Sequence, residues 1–207
     1  MRYTISGNSG KKAVIGTIVA LWLAMIFVGL GLLYNYDMKA GPVEPAPPVW
    51  PQDVPMSNED RLYHLVMIVH PHCPCTRASI GELEILMTRT KDKLHTTVLV
   101  YVPQDTDSDW AQSDLMRHLS RIPNVSIRID RAGWMAEAFG GTTSGQTFLY
   151  DPEGQLVFSG GITASRGHAG GNYGRTAIVD AVYGRDIKRR STPAFGCIVR
   201  DRRSKIL

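Results

Sequence analysis

This 207-residue chain contains three cysteines, and their thiol groups and their spacing could support a chemical reaction. Cys73 and Cys75 lie two positions apart, and Cys197 lies near the C-terminus. Pro74 can occupy the first position of a helix, because that position has no backbone hydrogen bond to lose. We therefore expect Cys73 to be a helix N-cap, where the helix dipole and unpaired N–H groups lower the pKa of a thiol. The resulting thiolate is a nucleophile toward disulfides.

The disulfide partner of Cys73 stays open between two candidates. Cys75 would close a Cys-x-Cys ring, and so small a ring forces a strained geometry that makes a disulfide more oxidising. Cys197 would instead fold back from the C-terminal region and pair with Cys73 or with Cys75. Because the chain has three cysteines, one of them stays a free thiol in either arrangement.

Imidazole groups near the cysteine pair support an alternative function, the binding and delivery of copper or zinc. Cys73, Cys75 and His72 would be the ligands, with His168 available from a distance, because Cu(I) and Zn bind thiolate and imidazole. In an oxidoreductase, His72 would instead tune the Cys73 thiolate, and no cofactor would be needed. A third interpretation is a scaffold without catalysis, held by a structural disulfide.

Residues 13–34 are apolar throughout, and we predict that they form a single transmembrane helix. The segment contains no charged residue, and its length suits the roughly 30 Å hydrocarbon layer of a bilayer. Arg2, Lys11 and Lys12 precede it, so the positive-inside rule predicts a cytoplasmic N-terminus over residues 1–12. The soluble domain would then be periplasmic or otherwise extracytoplasmic. A cleaved signal peptide is the competing interpretation.

Proline and basic residues mark the two flanks of the predicted soluble domain, residues 61–184. Residues 35–60 contain six prolines and predict an extended linker that builds no core. Residues 185–207 carry eight lysines and arginines against two aspartates, and predict a basic tail that contains Cys197. Because this tail lacks interleaved aromatic residues and is expected outside the cytoplasm, we expect no nucleic-acid binding.

Hydrophobic periodicity within the domain predicts alternating strands and helices. Apolar runs at residues 64–70 and 96–102 are typical of strands buried on both faces. Between them, apolar residues recur every three or four positions, which is the period of a helix. The further expected elements are a helix over 110–119, a strand at 125–129, a hairpin of residues 147–150 and 155–158, and a helix at 177–183. This order predicts an α/β fold with a central mixed sheet flanked by helices.

The same order, with cysteines directly after the first strand, resembles the thioredoxin-like fold. The stretch His72-Cys73-Pro74-Cys75-Thr76-Arg77-Ala78 is similar to the cysteine motif of membrane-anchored, TlpA-like thioredoxin-family proteins. Within them it is closest to the RedB-like branch with Cys-Pro-Cys. The resemblance implies a membrane-anchored thiol-disulfide oxidoreductase with Cys73 as its nucleophile. Its partners would be protein thiols and disulfides or a membrane redox protein.

Two positions depart from this family pattern. Thr76 stands where the family has its second cysteine, and Gly145 stands where the family has a proline that faces the active cysteine. Glycine is expected to leave more open space there. A glycine-rich loop, residues 160–172, follows the predicted hairpin. We expect it either to cap the site with Arg166 and His168 or to be a flexible insertion.

Overall fold

The computed structural model describes residues 8–56 and 62–199. The chain divides into two compact units, Met1–Met38 and Lys39–Leu207. The first unit holds helix α1 (Asn8–Asp37), which is long and apolar enough to cross a membrane over Gly10–Asp37. The helix predicted at residues 13–34 is therefore present, and it extends beyond that prediction at both ends. Its orientation in a membrane stays a prediction, and residues 1–7 lie outside the described residues.

The second unit is built on a five-stranded mixed sheet. Its strands are β1 (Tyr63–Val69), β2 (Leu94–Val102), β3 (Val125–Arg131), β4 (Gln146–Tyr150) and β5 (Leu156–Gly161). The spatial order is β3-β2-β1-β4-β5. Strands β1, β2 and β3 are parallel to one another, whereas β4 is antiparallel to both β1 and β5.

Four helices cover the two faces of the sheet: α2 (Pro74–Thr90), α3 (Asp114–Leu119), α4 (Trp134–Ala138) and α5 (Tyr173–Val182). Alternate residues of β1 point to opposite faces, so that Leu65 and Met67 enter one core and Val66 and Ile68 enter another. Helices α2, α3 and α5 close the first core, and α4 closes the second. A mixed sheet flanked by helices in this way is the thioredoxin-like fold that the sequence predicted.

The region between β2 and β4 differs in detail from the prediction. The helix expected over residues 110–119 is a 3-10 turn (Ser108–Ala111) followed by α3, which begins after the capping hydroxyl of Ser113. Helix α4 was not predicted. It has five residues, too few to show a helical period, and the buried carboxylate of Asp130 holds it by accepting the N–H groups of Met135 and Ala136.

The proline-rich segment packs on the domain, so the prediction that the linker over residues 35–60 builds no core is wrong for residues 39–56. Val54 is buried in the second core beside Trp50. Proline lacks an N–H group but keeps its carbonyl, and these carbonyls bind the domain. Pro48 accepts a 2.8 Å hydrogen bond from Leu156 N–H, and Pro47 accepts one from the Tyr150 hydroxyl. Residues 57–61 lie outside the described residues.

The predicted basic tail is likewise part of the domain as far as residue 199. The backbone of residues 190–192 pairs with Ser159 of β5, and Ala194, Phe195 and Val199 are buried. Burial of these apolar side chains fixes the segment, although the residues around them are basic. Residues 200–207 of the predicted tail lie outside the described residues.

Candidate functional site

Cys73 lies at the junction between β1 and α2. Its backbone angles are extended, with φ −81° and ψ 121°, and Pro74 is the first residue of the helix. The Cys73 N–H donates to the carbonyl of His70 at 3.0 Å, and the Cys73 carbonyl accepts the N–H of Thr76 at 3.0 Å. These bonds make the turn from strand to helix and confirm the predicted N-cap position of Cys73.

The second side of the site is a C-terminal segment, residues 194–199, which we call the C-terminal strap. It pairs antiparallel with the loop before β4. The N–H of Ser144 donates to the carbonyl of Cys197 at 2.8 Å, and the N–H of Val199 donates to the carbonyl of Thr142 at 2.9 Å. The strap thereby places the backbone N–H of Cys197 at 3.3 Å from the Cys73 sulfur.

The three cysteines are thiols in the structure and lie close together. Cys73 is 1% exposed and Cys75 is 7% exposed, whereas Cys197 is only half-buried. Cys75 also contacts Cys73 through its side chain. The structure therefore gathers the predicted cysteines 73, 75 and 197 into one cluster, with Cys197 its most accessible member.

The surroundings of the three cysteines shift their pKa values in different directions. Burial by itself would raise the pKa of Cys73, but hydrogen bonds from Cys197, from the Cys75 N–H and from the Thr76 hydroxyl outweigh it and lower that pKa. Burial and the neighbouring Cys73 raise the pKa of Cys75, and they raise the pKa of Cys197 to about 12. Cys73 is therefore the thiol that ionises first, while the other two stay protonated.

A network of hydroxyl groups joins the start of α2 to the loop that carries the strap. The Thr76 hydroxyl oxygen lies 3.0 Å from the carbonyl oxygen of His70 and 2.9 Å from the hydroxyl oxygen of Ser144, and its one proton serves a single acceptor at a time. The Ser144 oxygen accepts the backbone N–H of His70 at 2.9 Å. Thr76, which stands where the resembled family has a cysteine, thus has a hydrogen-bonding role that the sequence did not reveal.

Gly145 is buried, so the expectation of open space at this position is wrong. Its N–H donates to the carbonyl of Ile68 at 2.7 Å, and its φ is +87°. A Cβ atom here would lie 2.7 Å from the hydroxyl oxygen of Ser79 on α2. Glycine is favoured because the backbone takes a left-handed conformation and passes close to the helix.

Arg166 of the glycine-rich loop lies against the strap. Its guanidinium donates to the carbonyl of Gly196 at 3.0 Å and to the carbonyl of Lys39 at 3.1 Å. Its positive charge also favours ionisation of Cys75 and Cys197, against the larger effects that raise the pKa of each. The predicted approach of Arg166 to the cysteines is thus present in the structure.

The glycine-rich loop is anchored by a buried carboxylate. Glu82 of α2 is completely buried, forms an ion pair with Arg175 and accepts hydrogen bonds from the Gly170 N–H and the Asn172 side chain. These contacts fix both the end of the loop and the first turn of α5. The structure therefore favours the cap over the flexible insertion.

The two candidate histidines point to other partners. The His72 ring is hydrogen-bonded to the carbonyl of Trp110 at 3.0 Å and packs edge-on against the Trp110 ring. The His168 ring is hydrogen-bonded to the carbonyl of Arg166 at 3.1 Å. Neither ring is hydrogen-bonded to a cysteine. The geometry thus gives no support to His72 as the group that tunes the Cys73 thiolate.

A metal centre needs a cluster of ligating side chains. Within residues 8–56 and 62–199, no three side chains of His, Cys, Asp or Glu form a group that could hold a metal ion. The donor set proposed for copper or zinc, Cys73, Cys75, His72 and His168, is therefore not brought together as a ligand cluster.

Comparison with known proteins concerns the fold. No protein family model matches this chain, and no curated protein is similar to it. An uncharacterized conserved protein from Geobacillus kaustophilus has a TM-score of 0.59 and 18% identity, with 80% of this chain and 93% of that chain covered. A hypothetical protein from Sinorhizobium meliloti 1021 has a TM-score of 0.55 and 17% identity, with 78% and 94% covered. At such identities, the similarity shows a shared fold alone.

A weaker similarity extends to an exposed lipoprotein thioredoxin from Streptococcus pneumoniae, with a TM-score of 0.42 and 16% identity. It covers 68% of this chain and 99% of that chain. Fold and site together define a thioredoxin-like domain with three clustered thiols, preceded by a helix that is apolar enough to span a membrane.

Proposed function

We propose that this protein is a membrane-anchored thiol-disulfide oxidoreductase in which Cys73 is the nucleophile and Cys197 is the resolving thiol. The observation that carries the proposal is the contact between these two cysteines, with the Cys197 N–H at 3.3 Å from the Cys73 sulfur. This contact joins a thiol of lowered pKa to one whose pKa is raised. In a two-cysteine exchange mechanism, the thiol that ionises first attacks the partner disulfide, and the second thiol later resolves the mixed disulfide.

The proposed reaction has two exchange steps. First, the Cys73 thiolate attacks one sulfur of a partner protein's disulfide, forming a mixed disulfide, and the other partner sulfur leaves as a thiolate that takes up a proton. Second, Cys197 gives up its proton and its sulfur attacks Cys73, so that a Cys73–Cys197 disulfide forms and the second partner sulfur leaves. The partner disulfide gains two electrons and this protein loses two. A partner dithiol drives the reverse sequence, and the cysteines themselves carry the electrons, so no cofactor is needed.

The order of the two steps follows from the charges in the cluster. Burial is the largest cause of the raised pKa of Cys197, and its contact with ionisable Cys73 is the next. When Cys73 enters the mixed disulfide, its negative charge disappears and this second cause is removed. The pKa of Cys197 then falls, so Cys197 becomes a better nucleophile only after the first step has taken place.

Cys75 fits the resolving role less well. It contacts Cys73, but both residues belong to the start of α2, and a bridge between them would close the strained Cys-x-Cys ring. Cys75 is also buried, whereas Cys197 is partly accessible to a partner dithiol. In the proposed mechanism, Cys75 is the thiol left over.

The test is the reduction of a disulfide-bonded model protein, such as insulin, by the detergent-solubilised full chain with a small dithiol as electron donor. We expect Cys73→Ser to abolish activity and Cys75→Ser to retain most of it. Cys197→Ser should accumulate the mixed disulfide with the model substrate, visible by mass spectrometry. Activity unchanged in Cys73→Ser would contradict the proposal.

The extracytoplasmic position of the domain and the relation to the RedB-like branch belong to the same proposal. The positive charges at Arg2, Lys11 and Lys12, before the apolar helix, support a cytoplasmic N-terminus. Protease treatment of intact cells or spheroplasts tests the orientation. Digestion of the soluble domain is expected, and its protection in spheroplasts that expose other extracytoplasmic proteins would contradict this orientation.

A further inference from the structure

Three separate segments of the chain meet at the side chain of Arg166. The residue itself belongs to the glycine-rich loop, Lys39 opens the second unit, and Gly196 immediately precedes Cys197. The guanidinium donates to both the Lys39 and the Gly196 carbonyls, at 3.1 and 3.0 Å. A further backbone bond, from Gly41 N–H to the Ala194 carbonyl at 2.8 Å, joins the same two segments.

The position of Gly196 makes the Arg166 contact relevant to the thiols. The carbonyl of Gly196 and the N–H of Cys197 belong to one peptide group, which is planar and rigid. Arg166 holds the oxygen of that peptide group, and the N–H of the same group points at the Cys73 sulfur. Fixing one end of the peptide therefore fixes the direction of the other.

The glycine-rich loop can hold Arg166 in place because the loop is itself anchored. Glu82 and Arg175 form a buried ion pair, and Gly170 and Asn172 are bound to the same carboxylate. The end of the loop that carries Arg166 is thus anchored to α2, the helix that begins after Cys73.

We propose that Arg166 is a positioning residue that holds the C-terminal strap closed, so that Cys197 lies ready to resolve the mixed disulfide on Cys73. The inference rests on the proposed function and adds a residue to it. The closed strap also leaves Cys73 only 1% exposed, so closure has opposite effects on the two exchange steps. It hinders the approach of a partner disulfide to Cys73, and it speeds the attack of Cys197.

Arginine suits this role better than lysine. The planar guanidinium presents several N–H donors in fixed directions and can bind two carbonyls at once, whereas the lysine ammonium is a single charged centre on a flexible stem. Arg166→Lys keeps the positive charge near the thiols but loses the double contact. The two substitutions, to lysine and to glutamine, therefore separate the effect of the double hydrogen bond from the effect of the positive charge.

The test measures the two exchange steps separately in the full chain. The first is the rate at which a small alkylating agent modifies Cys73 at high pH, followed by peptide mass spectrometry. The second is the rate at which a preformed mixed disulfide on Cys73 converts to the Cys73–Cys197 bridge. For Arg166→Gln we expect faster alkylation and a conversion that is slower by roughly 10- to 100-fold, the size of effect that small misplacements produce.

Arg117→Gln is the matched control, because Arg117 is an exposed arginine on α3 paired with Asp114. It should leave both rates as in the wild type. Arg166→Lys should change both rates in the same direction as Arg166→Gln: faster alkylation and slower conversion. If Arg166→Gln fails to fold, Arg166→Lys carries the test by itself.

The proposal is overturned if Arg166→Gln, or Arg166→Lys in its place, resolves the mixed disulfide as fast as Arg117→Gln. It is also overturned if the alkylation of Cys73 is not faster, or if it is faster only because the variant has unfolded, which urea unfolding of the variant shows. Failure of the proposed function gives a different result, because exchange would then persist in Cys73→Ser whatever residue stands at position 166.

Discussion

Cys73 lies between two sides of the site that are built in different ways. The helix side, residues 70–76, is one continuous stretch in which a buried strand turns into a helix. The strap side consists of the loop at residues 142–145, Arg166 and residues 194–199. These parts are distant in sequence and are joined by backbone hydrogen bonds and by the Arg166 side chain. The helix side positions the nucleophile. The strap side supplies the second thiol and the hydrogen bonds from Cys197 that contribute most to lowering the pKa of Cys73.

Attack and resolution are therefore supported by parts of the protein that are held together by different kinds of contact. The helix side is continuous with a fully buried strand, β1, and with both cores. The strap buries Ala194, Phe195 and Val199, but it joins the domain through a short stretch of backbone pairing, and its Cys197 is only half-buried. We therefore expect changes on the helix side to affect folding most, and changes on the strap side to affect the reactivity of Cys73 most.

The largest effect is expected at the ion pair of Glu82 and Arg175, which joins α2 to α5 beside the end of the loop that carries Arg166. Arg175→Met leaves the carboxylate of Glu82 buried without its cation, and breaking a buried pair in this way typically costs about 3–5 kcal/mol. Urea unfolding of the detergent-solubilised chain measures the loss. Arg185→Met is the matched control, because Arg185 forms an exposed pair with Asp180 at 3.3 Å. A loss no larger than that of the control would show that the pair does not hold α2 and α5 together.

The next effect concerns Gly145, which stands where the resembled family has proline. Gly145→Pro forces φ from +87° to a negative value and removes the N–H that donates to Ile68. We expect a loss of about 2–4 kcal/mol from the lost hydrogen bond and the backbone change. Gly145→Ala keeps the N–H and should lose less. Thermal unfolding of both variants decides the point, and a proline variant as stable as the wild type would contradict the geometry of this loop.

A smaller change in stability with a clear change in reactivity is expected for Gly196→Ala. A Cβ atom on Gly196 would overlap the carbonyl oxygen of Ser144, so the strap has to move away from the loop. Overpacking of this kind costs about 1–3 kcal/mol. Cys73 should then be alkylated faster at high pH, because it is no longer covered.

The pH dependence of the same variant has a definite sign. In the wild type, the lowered pKa of Cys73 means that alkylation reaches its half-maximal rate below the pH of an ordinary thiol. Loss of the Cys197 hydrogen bonds raises that pKa, so the half-maximal pH should increase in Gly196→Ala. Gly171→Ala is the control, because a Cβ atom there meets no atom within 4 Å. A profile identical to that of the control would mean that the strap does not set the acidity of Cys73.

The smallest effect is expected for Thr76, which connects the helix side to the strap side through its hydroxyl. Thr76→Val keeps the shape but loses the contacts with His70 and Ser144, and a hydrogen bond of this kind is worth about 1 kcal/mol. The pKa of Cys73 should rise slightly, since the Thr76 hydroxyl is one of the groups that lower it. Thr76→Ser keeps the hydroxyl and serves as the reference in a titration of the thiolate. If the pKa of Cys73 is the same in Thr76→Val as in Thr76→Ser, the Thr76 hydroxyl does not lower that pKa.

The sequence predicted most of the fold and the helix side of the site. The apolar runs of β1 and β2 and the period of α2 are local signals, and Pro74 after Cys73 marks the start of a helix. Helix α4 and the packing of residues 39–56 were missed because they depend on distant partners, such as the carboxylate of Asp130 and the N–H of Leu156.

The strap side was harder to predict for the same reason. The sequence allowed Cys197 to reach Cys73 and Arg166 to approach the cysteines, but it gave no sign of the backbone pairing at residues 142–144. The close approach of Gly145 to Ser79 was likewise invisible, since it depends on the packing of a loop against α2. The predicted roles of His72 and His168 came from their nearness in sequence or their chemical type, and the structure directs both rings to backbone carbonyls.

Non-reducing peptide mapping tests the central claim, that Cys73 and Cys197 form the redox pair, most directly. The full chain would be equilibrated in a mildly oxidising thiol-disulfide buffer, its free thiols blocked, and its disulfide-linked peptides identified by mass spectrometry. We expect a peptide pair joined through Cys73 and Cys197, with Cys75 recovered as the blocked thiol. A bridge between Cys73 and Cys75, with Cys197 blocked, would contradict it.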